Sequence, residues 1–278
     1  MLNRPAAAGS AGADSSSGES PGTAAIQRVN VLGVGLSVLN LATARAAIAE
    51  AVEARRKGYV CVTGVHGVSE AQSDPSFRRI LNEAFLCTPD GMPMVWMGRL
   101  RGHREMSRVY GPDLMLEVFE WSQRRPCKHF FYGGMTGVAE ELKGRLEARF
   151  PGVQIVGCYS PPFRPLNAEE EGALAKEFER LRPDITWVGL STPKQERFMA
   201  RYLPRLNTTL MFGVGAAFDF HAGRMRQAPR WMQGCGLEWL FRLGCEPRRL
   251  WKRYLKNNPL FLVRAFSQLT GLRRYRLD

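Results

Sequence analysis

The sequence predicts an α/β protein: a mainly parallel sheet with flanking helices, followed by a basic helical C-terminal appendage. Three observations carry this prediction. Short β-branched or aromatic runs, such as YVCVT at 59–63 and KHFFY at 128–132, alternate with helical patterns of about 10–15 residues, the rhythm of βαβ units. Apolar residues make up 45% of the chain, enough for a substantial core. Strand signals stop near Gly223, and the remainder is rich in Trp, Leu and Arg.

Residues 1–25 are Ala, Gly and Ser in the main, too poor in apolar side chains to fold, and read as a disordered tail with no signal-peptide core. Residues 29–34 form an apolar strand. Ala46, Ala47, Ile48, Ala51 and Val52 place a helical stripe over 43–57. A strand at 59–63 and a helix over 67–84 follow, then the turn Thr88-Pro89-Asp90-Gly91. A helix covers 112–124, a strand 128–132, a helix 137–149 and a strand 153–159. Asn167 and Glu170 form a reciprocal cap for the next helix. A strand at 184–189, a helix at 193–204 and a strand at 209–214 complete a body spanning 26–223, with residues 224–278 as the appendage.

The formal net charge is +13, which favours an anionic partner. Six cysteines are scattered without CxxC or Cys/His zinc spacing and read as reduced thiols. No apolar run approaches the ~20 residues of a membrane span.

In open α/β sheets ligands bind beyond the carboxyl ends of strands, so the loops there are the candidates. Gly33-Val34-Gly35 lacks the third glycine of a GxGxxG and reads as a turn. Gly133, Gly134 and Gly137 either cradle a phosphate with bare N–H groups or permit a tight strand-to-helix turn. Asp90 is either turn chemistry or a general base; Gly91 follows it. Thr192, Pro193 and Gln195 suit a capping box, which leaves Lys194 free to face a phosphate. Asp219 reads as an N-cap or Asx-turn, or as a ligand contact. His66 and His221 lie on such loops, where a hydrogen-bonded structural histidine is the plainer reading. No D-x-D occurs, and the Glu169–Glu171 run suits a helix first turn, so no metal is expected.

Residues 242–278 hold ten Lys or Arg against Glu246 and Asp278, interleaved with Trp and Leu. Such a segment suits an anionic membrane surface. Arg242, Arg249 and Lys252 or Arg253 are spaced to share one helix face. No helix-turn-helix, RRM, KH or zinc-finger signature supports a nucleic-acid partner.

Together these motifs resemble the WecG/TagA/CpsF family of bacterial glycosyltransferases. The marks are Pro89-Asp90-Gly91, Tyr110-Gly111-Pro112-Asp113-Leu114, Gly133-Gly134-x-x-Gly137 and Pro193-Lys194-Gln195-Glu196. Further on stand Gly213-Val214-Gly215-x-x-Phe218-Asp219, Ala228-Pro229-x-Trp231, Gly236-Leu237-Glu238-Trp239-Leu240-Phe241-Arg242 and Glu246-Pro247-x-Arg249. The resemblance implies a Rossmann-like fold and a peripheral enzyme on the cytoplasmic face of a bacterial inner membrane. It implies inverting, metal-independent transfer of a hexose or N-acetylaminosugar from a UDP-sugar to a polyprenyl-diphosphate-linked saccharide, with exopolysaccharide assembly the preferred pathway and no cofactor. By position it makes Asp90 the general base, Arg108 a catalytic-site arginine and Gln195 a sugar-nucleotide contact. Arg242, Arg249 and Lys252 or Arg253 become cations for the diphosphate. Family relatives also self-associate, so a homo-oligomer is an expectation. Two departures stand out. The family's Asn after the second strand is absent from Thr63-Gly64-Val65-His66, with His66 offered in its place, and Lys252 stands where arginine is usual. A Rossmann-type oxidoreductase is the competing reading, but 151–154 lacks the acidic ribose-binding residue. A non-catalytic membrane binder rests on charge alone.

Overall fold

A computed structural model describes residues 26–277; the expected disordered tail, 1–25, lies outside the described residues. The expected single first strand is a hairpin instead, with β1 (Arg28–Val31) antiparallel to β2 (Val34–Ser37). Leu32 and Gly33 take φ of 53° and 85°, the paired positive values of a tight hairpin turn. The Gly33 turn is therefore real but joins two strands. Helix α1 (Leu41–Glu53) starts at Asn40, whose side chain accepts from the Thr43 N–H, and leads to β3 (Gly58–Thr63).

The helix expected over 67–84 is two helices, α2 (Val65–Ser73) and α3 (Pro75–Glu83). Asp74 breaks it: its carboxylate caps the Phe77 N–H, and Pro75, with no N–H to satisfy, opens the second helix. Strand β4 (Leu86–Pro89) is followed by a helix the sequence reading did not contain, α4 (Met92–Leu100). Next come α5 (Gly111–Ser122), β5 (Lys128–Gly133), α6 (Val138–Arg149) and β6 (Gln154–Tyr159). Helix α7 (Ala168–Leu181) carries the expected reciprocal cap between Asn167 and Glu170. After β7 (Ile185–Gly189), α8 (Lys194–Tyr202) lacks its expected capping box. The Thr192 hydroxyl turns to Glu196, and the Gln195 N–H goes to the Ser191 carbonyl. Strand β8 (Leu210–Gly213), α9 (Ala217–His221), α10 (Arg230–Gly234), α11 (Glu238–Cys245) and α12 (Pro247–Leu269) complete the chain.

The main sheet is Rossmann-like: six parallel strands in the order β4-β3-β8-β7-β5-β6. Successive residues face opposite sides, as the pleat requires. Cys61, Tyr132, Val188 and Met211 enter a core layer with the hairpin, α2, α3, α8 and α12; Val60, Phe131, Trp187 and Phe212 enter one with α1, α5, α6 and α9. In the second layer the Trp187 indole N–H donates to His129 Nδ1 at 3.1 Å, and His129 Nε2 meets the Ser122 hydroxyl at 2.9 Å. Burial pushes His129 down to about 3, so this ring is neutral structural material.

Helix α12 is stitched to the first hairpin. Gln268 accepts from the Leu32 N–H at 3.1 Å and donates to the Asn30 carbonyl at 3.2 Å, while Asn30 donates to the Tyr275 carbonyl at 2.7 Å. Phe261 and Ala265 are buried in the same layer. None of the described helices is long and apolar enough to cross a membrane.

Candidate active site

Five adjacent strands send their carboxyl-end loops to one edge of the sheet. Thr63 ends β3 with Gly64 and His66 beyond it, Asp90 and Gly91 follow β4, and Gly133 ends β5 with Gly134 and Gly137 beyond it. Ser191 to Gln195 follow β7, and Gly215 to Asp219 follow β8. This is the end of the sheet at which open α/β folds bind ligands.

Asp90 stands at the tip of β4 with its N–H donating to the Thr63 carbonyl at 3.1 Å. One carboxylate oxygen lies over Gly64, 3.5 Å from where a Cβ would stand. Burial pushes the carboxyl up to about 6, the Arg108 guanidinium pulls it down and Glu238 pushes it up. The Gly111 N–H at the start of α5 and Arg242 pull it down again. A carboxylate with such a value can hold and release a proton near neutral pH.

Arg108 is a clamp. Its Nε donates to the Asp90 carbonyl, one Nη donates to Gln233 Oε1 at 2.9 Å, and the other is paired with Glu238. Its plane lies over the Tyr110 ring at 3.9 Å. The planar fork aims its N–H groups at three partners in fixed, spread directions, a geometry that a compact ammonium lacks. The β4 tip is thereby joined to α10 and α11. Gln233 and Glu238 were missing from the sequence reading's candidates; they lie 125 and 130 residues from Arg108, and no local spacing signals such a pairing.

Thr63 is buried, its hydroxyl accepting from the Cys87 thiol, and it supports Asp90 through its carbonyl. Gly133, Gly134 and Gly137 have φ of 122°, 77° and 82°. At Gly133 a Cβ would fall 2.7 Å from the Gly189 carbonyl oxygen, so strand packing alone requires glycine there. Lys194 is exposed in the first turn of α8. Gln195 is buried and donates to Glu196 at 3.1 Å; its own Oε1 is buried without a hydrogen-bond partner among the described residues. Burial also raises the Glu196 carboxyl.

Asp219 is not an N-cap: it lies inside α9, whose N-cap is Ala216. Burial raises its carboxyl, against the pull of Arg249, Arg224 and Arg242. The appendage cations do not share one helix face either, because Glu246-Pro247 ends α11 and starts α12. Arg242, on α11, is half-buried with its Nε unpartnered among the described residues. Arg249 pairs with Glu246 at 2.6 Å, and Lys252 is exposed over the Trp251 ring. Arg253 is the more covered of the two neighbours and lies near His66, whose protonated form burial and that cation both disfavour. His66 Nδ1 accepts from Asn257 of α12 at 3.2 Å, a contact between helices that the sequence reading missed. His221 donates to the Pro112 carbonyl at 3.0 Å, a structural role. Among the described residues no three His, Cys, Asp or Glu gather as a metal site.

The chain matches the profile of the glycosyl transferase WecG/TagA/CpsF family over residues 29–275. It is similar to the N-acetylglucosaminyldiphosphoundecaprenol N-acetyl-beta-D-mannosaminyltransferase of Bacillus subtilis, 31% identical over 185 residues, 66% of this chain and 70% of that one. It is also similar to the protein of the same name from Bacillus spizizenii, 30% identical over 202 residues, 72% of this chain and 76% of that one.

Proposed function

We infer, because this chain belongs to the WecG/TagA/CpsF family of glycosyl transferases, that its strand-tip crevice moves a hexose or N-acetylaminosugar from a UDP-sugar to a saccharide on a polyprenyl diphosphate. The carrying observation is the Asp90 carboxyl, raised to about 6 and held beside the Arg108 clamp. In this reading Asp90 takes the proton of the acceptor hydroxyl as that oxygen attacks the anomeric carbon. The bond to the nucleotide diphosphate breaks from the opposite side, so the anomeric centre inverts. The β product in the relatives' names is what inversion of an α-linked nucleotide sugar gives.

The leaving diphosphate gains charge, and cations must meet it. Arg242, Arg249 and Arg253 or Lys252 are the candidates, which supports a metal-independent reaction. Arg108 sets the position of Asp90 and of α11 together. Gln195 and the glycine turn at 133–137 form the donor side, with Thr63, His66, Gly91, Lys194 and Asp219 lining the rest. The relatives' names make N-acetylmannosamine the first donor sugar and a lipid-linked N-acetylglucosamine the first acceptor to try, here within exopolysaccharide assembly.

The appendage, 224–278, would also seat the enzyme on an anionic leaflet, the cytoplasmic face of the inner membrane. Trp251, Leu255, Leu262, Phe266 and Leu269 are exposed along α12 and fall on one stripe. Self-association is part of the same reading. The test is transfer from UDP-N-acetylmannosamine to a short-chain polyprenyl-diphosphate N-acetylglucosamine. Wild-type protein should turn over equally with and without chelator, and Asp90→Asn should not. Full activity in Asp90→Asn, or activity that needs added manganese, defeats the mechanism.

A further inference from the structure

Helix α4 starts beside the candidate base. Its N-cap, Gly91, is the residue after Asp90, and Met92, Trp96 and Leu100 recur along it every four residues on one face. Its inner face is accounted for by buried Met94, Val95, Met97 and Gly98. The outer stripe becomes more open with distance from Asp90: Met92 is half-buried, Trp96 is 45% exposed and Leu100 is 70% exposed. One side of the stripe is walled. The turn at Gly236, with φ of 72°, runs so close that a Cβ there would lie 2.8 Å from the Trp96 ring and 3.3 Å from the Met92 Cβ. Two residues on stands Glu238, the partner of Arg108. Arg99, Arg101 and Arg104, at and just beyond the C-terminal end of α4, are exposed.

We propose that this stripe is the track along which the isoprenoid chain of the acceptor leaves the site. The inference rests on the glycosyltransfer reading above and adds a subsite to it. Such an acceptor presents a sugar, then a diphosphate, then branched hydrocarbon. The protein presents a carboxylate and then, over the roughly 12 Å of helix from Met92 to Leu100, an increasingly open apolar face with exposed arginines at its far end. A second copy of the chain fits poorly, because a two-fold contact would bring the three arginines against their own images. A flat bilayer fits poorly too, since the inner end of the stripe lies beside Asp90 behind the 236 turn.

The test uses the full chain with two acceptors. One is N-acetylglucosaminyldiphosphoundecaprenol in detergent micelles; the other is the same diphosphate saccharide on a hexyl chain. Leu100→Glu should raise KM for the undecaprenyl acceptor about tenfold, the loss of one buried leucine contact, and leave the hexyl acceptor at the wild-type rate. Trp96→Ala should act in the same direction. Equal loss on both acceptors, or no loss on either, overturns the proposal. So does a defect confined to vesicles, which would mean bilayer docking, or a dimer lost in Leu100→Glu by light scattering. Wild-type protein that transfers to neither acceptor defeats the glycosyltransfer reading itself.

Discussion

In the proposed mechanism Asp90 is a base whose side chain is only partly open to water. The two properties have opposite signs for stability. Its carboxyl titrates near 6 in the fold against about 3.9 in an unfolded chain. Ionising it is therefore harder in the fold, and stability declines as pH rises from about 4 to about 6, with the full cost above that. The proposed base acts in its ionised form, so kcat/KM should fall about tenfold per pH unit below about 6. Asp90→Asn should lower kcat by ~10²–10⁴-fold and yet melt at a higher temperature at pH 7, a trade of stability for function. A pH–rate profile and a thermal melt check both. Arg108→Ala should cost roughly 3 kcal/mol, since Glu238 and the Asp90 carbonyl lose their partner in a covered site. Denaturant titration reads that loss, and the activity should fall with it. The place of Asp90 at a strand tip was legible in the sequence from the apolar run before it. The clamp was not, because its members meet only through the fold.

Helix boundaries fail or succeed by the strength of local chemistry. Asn167 and Glu170 satisfy each other's backbone N–H, and Arg164 forks onto Glu170 at 2.7 Å. That cap was readable from spacing alone. Asn167→Ala should cost about 1 kcal/mol by chemical denaturation while leaving transfer intact. The Asp74-Pro75 break carries a local signal too, but the apolar pattern continues across it and makes the two helices read as one. Leu32 at positive φ gave no turn signal, because leucine is not a residue that such turns favour. Helix α4 escaped notice because its first seven residues carry no charge and no polar face. At α8 the Glu196 carboxylate, four residues on, takes the Thr192 hydroxyl in place of the expected cap. Phe261→Ala on α12 should cost about 3–5 kcal/mol and expose the C-terminal helix to protease before the sheet.

Over the whole molecule, charge and architecture answer different questions. The parallel sheet with helices on both faces follows from the strand–helix alternation, and its strand tips gather residues that are far apart in sequence. The net charge of +13 says nothing about fold and much about partners. Binding to phosphatidylglycerol vesicles should be strong at about 0.1 M salt and fade by about 1 M, where screening shortens to ~3 Å. Neutral vesicles should bind weakly at either salt. Leu262→Glu with Phe266→Glu on the exposed α12 stripe should abolish sedimentation with vesicles without lowering the melting temperature.

The stitching of Gln268 and Tyr275 to Asn30 and Leu32 brings both ends of the folded body together. Leu277 reaches the hairpin as well, against Gly35. A circular permutant with a short linker from 277 to 26 and new ends cut in the exposed 163–165 segment should therefore fold. Shortening the chain at 224, by contrast, would strip the hairpin of its partners and so change more than membrane affinity.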